Sequence, residues 1–169
     1  PEWIGYSVPV LPGEHHMCCS GSNGNCCGGC RLEQGEAAEG SVRVGPGGPV
    51  RLEQPSGLLV LYRVEQGRVV RIRMFSDDCA IDATGTHVRW LTGVSGAASA
   101  VLLGRFTGAD TRRVADGALA ALAMHADRAA LELLLATAKN GDTTHARGQA
   151  LFWLSQRAGD EAVGAISDA

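Results

Sequence analysis

The sequence predicts an α+β fold in which a cysteine-rich amino-terminal region containing a β-hairpin precedes an α-solenoid of helical hairpins. Five of the six cysteines lie within residues 18–30, and β-branched residues alternate with polar ones over residues 58–75. From about Thr111 onward, apolar residues recur at helical spacing. We place the cysteine-rich α+β region in residues 1–105 and the helical repeats in residues 110–169.

The composition excludes several classes of protein. Hydrophobic residues make up 45% of the chain and charged residues 20%, which is typical of a globular protein and not of a disordered one. A formal net charge of −3 argues against nucleic acid as a partner, because nucleic-acid-binding domains present a strongly basic face. No apolar run approaches the roughly 18 residues that a membrane span needs.

The ends of the chain and its cysteines indicate a processed, exported protein. The chain begins at Pro1 without an initiator Met, and it ends at Ala169 within a helical pattern. We therefore expect the helical repeats to be truncated at the carboxyl terminus. Six cysteines suit an oxidising compartment, which predicts an extracytoplasmic location, either periplasmic or secreted.

Residues 1–55 are rich in Gly, Pro and Cys and show no periodicity beyond a short apolar start at residues 3–6. We expect loops held together by disulfide bonds, and sequence alone does not choose the connectivity. The disulfide candidates are Cys18, Cys19, Cys26, Cys27, Cys30 and Cys79. The alternatives are free or redox-active thiols, or a zinc site, since Cys27 and Cys30 have the spacing of a metal knuckle. The zinc ligands would come from His15, His16, Cys18, Cys19, Cys26, Cys27 and Cys30.

Two β-branched-rich runs at residues 58–65 and 68–75 predict a β-hairpin around the turn Gln66-Gly67. Period-two alternation places one set of apolar residues on a common face: Val60, Tyr62, Val64, Val70, Ile72 and Met74. The opposite, solvated face carries Arg63, Arg71 and Arg73, which could instead contact an anionic partner.

Residues 83–92 are ambiguous between strand and helix. Val88 and Trp90 alternate as in a strand, whereas a helical stripe comprises Ile81, Thr84, Val88 and Leu91, and we favour the helix. After this stretch, a short helix is predicted from the cap Ser95 through about Leu103, with Gly104 as its stop.

Three amphipathic helices are predicted after Thr111. The apolar stripe of the first helix comprises Val114, Ala118, Ala121 and Leu122. The second helix begins at the cap Asp127 and ends at the stop signals Lys139 and Asn140-Gly141. Its apolar stripe comprises Leu131, Leu134, Leu135 and Ala138. The third begins at about Thr144 with the stripe Ala146, Ala150, Trp153 and Leu154, and Asp160 begins a fourth. Each stripe position of the first helix recurs 32 residues later, and Leu119 recurs as Leu151. A period of this length with two helices per unit predicts an α-solenoid.

The motif in residues 146–154 resembles the HEAT-repeat pattern of an apolar residue, Arg, two variable positions, Ala-Leu and a closing Leu; residues 114–122 are similar but lack the Arg. The chain as a whole resembles a group of bacterial HEAT-repeat proteins that are mostly exported. The shared features are the Trp-Ile-Gly-Tyr start at residues 3–6, the Cys-Cys…Cys segment and the Asp-Cys-x-Ile-Asp-Ala stretch at residues 78–83. The resemblance implies an exported stack of helical hairpins and no particular activity.

No sequence motif of catalysis is present: the chain has no Gly-rich phosphate loop, no G-x-S-x-G and no H-E-x-x-H. We therefore expect a non-enzymatic scaffold that needs no cofactor and binds a protein or peptide partner. A solenoid presents a concave face for such a partner, and the exposed positions Arg128 and Glu132 are the predicted protein-binding residues. The alternative is a metal-binding or thiol-redox protein that uses the amino-terminal Cys/His cluster.

Overall fold

The computed structural model describes residues 2–12, 30–32, 57–77, 81–83 and 85–167. In these ranges, six strands precede four helices. They are β1 (Glu2–Pro9), β2 (Cys30–Arg31), β3 (Gly57–Glu65), β4 (Arg68–Ser76), β5 (Ile81–Asp82), β6 (His87–Trp90), α1 (Gly96–Gly104), α2 (Arg112–Met124), α3 (Arg128–Asn140) and α4 (Thr144–Ser167).

The main sheet is mixed and has the strand order β4-β3-β1-β6. Strand β1 runs antiparallel to β3 and parallel to β6, so it is a central strand. Tyr6 and Val8 are buried on one face and Trp3 on the other, as a strand covered on both sides requires. The prediction of loops after a short apolar start was therefore wrong for residues 2–9.

The predicted hairpin is confirmed in strands β3 and β4. Its turn residues Gln66 and Gly67 have φ values of 50° and 74°, the left-handed pair that a two-residue hairpin turn favours. The register is irregular between Arg63 and Val64, so that Val64 pairs with Val69. Because of this shift Val69, and not Val70, packs against the core on the helix-facing side.

The face of the sheet away from the helices is covered by a second, smaller core. Trp3, Leu32, Leu61 and Phe75 are buried there, and the short parallel pair β2–β5 lies beside them. The three arginines were expected on a solvated face, but Arg73 donates from Nη1 to the carbonyl oxygen of Leu32 at 3.1 Å. That expectation was wrong because the segment around Leu32 packs on this side of the sheet.

The helix favoured for residues 83–92 was wrong. Residues 87–90 form strand β6, whose register sets Trp3 beside Val88 and Gly5 beside Trp90. A Cβ atom on Gly5 would lie 2.8 Å from the Trp90 ring, so glycine leaves room for that ring across the strand. The local sequence fits a strand and a helix about equally well, and pairing with β1 stabilises the strand.

Local signals placed three helices correctly. The Oγ atom of Ser95 accepts a hydrogen bond from the backbone N–H of Ala98 at 3.2 Å, which begins α1 as expected. Asp127 caps α3 in the same way, through the N–H of Ala129 at 2.9 Å. Helix α4 begins at Thr144 but continues through residue 160, so the fourth predicted helix is instead part of α4.

The α-solenoid of HEAT-like hairpins was also wrong: helices α1 and α2 pack on one face of the β4-β3-β1-β6 sheet, and α3 and α4 pack on α1 and α2. Helix α2 buries residues such as Val114 and Leu122 in one core with Tyr62 and Ile72, so a sheet covers its apolar side instead of a neighbouring repeat. Equivalent repeat positions also differ, since Leu119 is fully buried and Leu151 is exposed. The fold is a small α+β arrangement.

Candidate protein-binding surface

Helix α1 is apolar on its solvent-facing side. It contains no charged residue between Gly96 and Gly104, although only Ser99, Ala100 and Leu103 are buried. Val101 is 54% exposed and Leu102 is 37% exposed. A helix that is apolar all round is normally enclosed by protein, so the outward side of α1 is unusual for a surface helix.

The outward residues of α1 line a shallow groove of about 420 Å³. Its lining is Ala97, Ala98, Val101, Leu102 and Arg105, and we call it the α1 groove. Ala97 lies one turn before Val101 and Ala98 one turn before Leu102, because residues four apart in a helix lie one above the other. Arg105 stands at the carboxyl-terminal end of the groove, and within the described part of the chain no carboxylate pairs with it.

A buried hydrogen-bond network fixes α1 to the sheet. The Oη atom of Tyr6 lies 2.8 Å from Tyr62 Oη and 2.9 Å from Ser99 Oγ, linking β1, β3 and α1. Burial raises the pKa of both tyrosines above its ordinary value, so both are neutral hydroxyls. Sequence reasoning missed this network because its members are far apart in the chain. The available signal was the alternation of apolar residues in the two strands, which places Tyr6 and Tyr62 on the buried face of each strand.

The predicted protein-binding residues Arg128 and Glu132 lie on the exposed side of α3. Arg128 Nε donates to Glu132 Oε1 at 2.9 Å, and the two side chains are 90% and 61% exposed. The expectation that they point outward is confirmed. Their charges neutralise each other in an i, i+4 pair, which at an exposed site stabilises a helix by only about 0.3–0.5 kcal/mol. That they bind a partner stays a prediction.

Other apolar side chains are exposed on separate elements. Leu135, placed on the buried stripe of α3 by the sequence, is half exposed, and the buried residues of that helix are Ala130 and Leu134. On α4, Leu151 and Phe152 are exposed, and the Phe152 ring packs edge-on against Trp153 at 5.3 Å. In contrast to α1, helices α3 and α4 also carry charged side chains among these residues, as ordinary surface helices do.

Two of the hairpin arginines, Arg63 and Arg73, have partners among the described side chains. Arg63 Nη2 lies 2.8 Å from Glu65 Oε1, and the Arg73 guanidinium lies 4.8 Å from the centre of the Phe75 ring. Arg63 and Arg71 sit directly opposite each other in the β3–β4 register. The Glu65 carboxylate and the Phe75 ring therefore offset part of the repulsion among like charges on this sheet face, and contact with an anionic partner stays a prediction.

The predicted cysteine and histidine site falls largely outside the described residues. His15, His16, Cys18, Cys19, Cys26, Cys27 and Cys79 all lie there, and only the backbone of Cys30 is described, in β2. Within the described ranges no group of three or more His, Cys, Asp or Glu side chains could hold a metal. The disulfide bonds and the alternative zinc site both stay predictions.

One histidine–carboxylate pair lies beside a cavity of about 230 Å³. His145 Nε2 is 2.6 Å from Asp116 Oδ1, which joins α4 to α2. The cavity is lined in part by Thr107, Arg112 and Thr143. Among the described side chains, no hydroxyl or thiol is hydrogen-bonded to His145, so no nucleophile–base–carboxylate arrangement is assembled there.

Comparison with known proteins gives no relative: no family model, no curated protein and no solved structure matches this chain. The resemblance of residues 146–154 to a HEAT motif therefore stays a prediction from sequence. In the described ranges, no helix has the combined length and hydrophobicity to cross a bilayer.

Proposed function

We propose that this chain is a non-enzymatic protein-binding module that acts outside the cytoplasm and contacts its partner through the α1 groove. The observation that carries the proposal is the uncharged helix α1, whose Val101 and Leu102 side chains lie in solvent. Because both side chains are already partly covered, burying the remaining surface of either would contribute roughly 1 kcal/mol. A partner surface removes this exposure without any change in the fold.

The chemistry of the groove favours one kind of partner, an amphipathic helix that carries a carboxylate next to its apolar stripe. Small residues at Ala97 and Ala98 allow close approach of a second helix, while Val101 and Leu102, each one turn further on, supply the larger apolar side chains of the same two rows. Arg105 then meets the carboxylate of the partner at the end of the groove. This assignment moves the expected contact from α3, where Arg128 and Glu132 already pair with each other.

The test uses a displayed library of helical peptides with an apolar stripe and variable acidic positions. We expect the recovered peptides to bind the wild-type chain and to lose at least about tenfold in affinity with Val101→Asp or Arg105→Glu. Leu151→Asp is the matched control, because Leu151 is equally exposed on α4. Surface substitutions of this kind change stability by about 0.5 kcal/mol or less, so binding is measured on folded protein.

Three results would contradict the proposal. The library could yield no peptide that the chain binds specifically. Recovered peptides could bind the Val101→Asp variant as tightly as wild type and fail only when Arg128→Glu and Glu132→Arg are combined, which would return the surface to α3. Binding could instead ignore both helices and weaken steeply with salt, as contact through Arg63, Arg71 and Arg73 predicts.

A further inference from the structure

A histidine is enclosed where α2 ends. His125 is fully buried, and its backbone forms an isolated bridge with Val10 just after β1. The ring Nδ1 atom accepts a hydrogen bond from the backbone N–H of Asp127 at 3.2 Å. Because a neutral imidazole that accepts through Nδ1 carries its proton on Nε2, this contact fixes the tautomer of the ring.

The other edge of the His125 ring faces the first turn of α1. A Cβ atom on Gly96, the first residue of that helix, would lie 3.4 Å from His125 Cε1 and 3.0 Å from Asp127 Oδ2. The Nε2 atom, adjacent to Cε1, is buried and has no hydrogen-bond partner among the described residues. His125 therefore lies at the junction of β1, α1, α2 and α3 with one polar atom unsatisfied.

Two charged groups face this ring, one from α3 and one from α4. Asp127 caps α3 through the N–H of Ala129. Arg157 of α4 is buried and donates from Nη1 to the carbonyl oxygens of Ala123 and His125, each at 3.3 Å. The contacts from β1 are backbone hydrogen bonds of Pro9 and Leu11, and α1 presents the uncharged residues Ser95 and Gly96.

We infer that His125 is a pH-sensitive switch whose protonation releases the start of α1 and the contact of Arg157 with the end of α2. A protonated ring carries hydrogen on Nδ1 and no longer accepts from Asp127. The added charge is a second buried cation beside Arg157. The helix dipoles act in opposite directions on it, because the ring lies at the amino end of α1, which disfavours positive charge, and at the carboxyl end of α2, which favours it. The Asp127 carboxylate offsets part of this repulsion.

The direction of the pH effect follows from the ring's environment. Burial lowers the pKa of His125 below its ordinary value of 6.5, Arg157 lowers it further, and Asp127 opposes the shift. The exposed ring of the released state binds protons more readily than the buried ring. The closed arrangement is therefore fully stable above about pH 6.5 and loses stability as the pH falls below that value, by up to about tenfold in the equilibrium per pH unit.

This switch acts on the helix that carries the α1 groove, so its effect on binding rests on the proposed function. The structural transition itself does not depend on the proposed function, and it is measured without a partner. We expect amide hydrogen exchange in α1 and in α4 near Arg157, corrected for intrinsic rates, to accelerate by about tenfold or more between about pH 7 and about pH 5. His125→Asn should remove the acceleration, because the amide oxygen still accepts from Asp127 and does not titrate.

Two histidines provide the controls. His87 is exposed on β6, so His87→Asn should leave the acceleration unchanged. His145 is the main rival because it pairs with Asp116 across α2 and α4. An acceleration that persists in His125→Asn, or that disappears in His145→Asn instead, would overturn the inference.

A further measurement keeps the inference testable if His125→Asn does not fold. Ring-nitrogen NMR of the wild-type chain should show the Nε2-protonated tautomer of His125 at about pH 7, with titration over the pH range in which α1 exchange accelerates. Arg157→Met keeps an apolar stem and removes the positive charge that lowers the pKa of His125, so in the folded variant the titration midpoint of His125 should move to higher pH. A wild-type ring that becomes protonated while α1 exchange stays constant would refute the switch.

Discussion

Gly117 shows how one residue determines the contact between the helical layer and the sheet. A Cβ atom at this position of α2 would overlap the carbonyl oxygen of Ile72 in β4. The absence of a side chain lets the helix axis approach the strand more closely than any other residue would. Within a helix, glycine is otherwise unfavourable by about 1 kcal/mol relative to alanine.

This contrast gives opposite expectations for two glycines. Gly117→Ala should lower the free energy of unfolding by about 1–3 kcal/mol, as inserting an atom into a packed contact does. Gly148→Ala is the matched control on α4, where no atom lies within 4 Å of the added Cβ, and it should raise stability by up to about 1 kcal/mol. Urea denaturation measures both. Equal stabilisation by the two substitutions would show that α2 does not press against Ile72.

At the scale of single elements, local chemistry was predictable and pairing was not. The hairpin around Gln66-Gly67 and the caps Ser95 and Asp127 depend on adjacent residues, and the sequence located them correctly. Among the described residues, β1 pairs with β3 and β6 pairs with β1, both far apart in the chain, so no local pattern distinguishes β1 and β6 from loop or helix. A helical stripe likewise shows that an apolar face is covered without showing by what.

Helix α3 gives a direct test of which leucines its stripe buries. Leu134 is fully buried and Leu135 is half exposed, although sequence spacing placed both on the same stripe. Leu134→Ala should reduce the free energy of unfolding by about 2–5 kcal/mol. Leu135→Ala should change it by no more than about 0.5 kcal/mol. If the two losses are similar, α3 is rotated relative to the arrangement described above.

For the whole molecule, the sheet is enclosed by two unlike layers. Helices cover one face around Tyr62 and Ile72, while Leu32 and the β2–β5 pair cover the other. From the sequence we expected a protein-binding module, but the sequence did not indicate α1 as the surface that would bind. Helix α1 stands out only when Val101 is seen to be exposed. No sequence pattern separates an apolar helix that is enclosed from one that faces solvent.

The two layers predict how the molecule responds to the state of its cysteines. We expect protein made through an export pathway to contain disulfide bonds, and their reduction to loosen the side of the sheet around Leu32 more than the helices, since the described helices contain no cysteine. Intact mass after denaturing alkylation measures the bonds, and hydrogen exchange before and after reduction measures the response. Uptake of five or six alkyl groups without reductant would reject disulfides, and zinc released on denaturation would favour the metal alternative.

The central position of β1 also has a consequence for the order of folding. Its neighbours are Gly57–Glu65 on one side and His87–Trp90 on the other, so contacts of high sequence separation hold the middle of the sheet together. Contacts between the helices of residues Arg112–Asn140 join residues that are closer in sequence. Because closing a shorter loop costs less entropy, we expect these contacts to form earlier. Until the late strands arrive, β1 has two unpaired edges and its apolar Tyr6 and Val8 exposed to water. We therefore expect β1 to be prone to association with other chains until β3 and β6 pair with it.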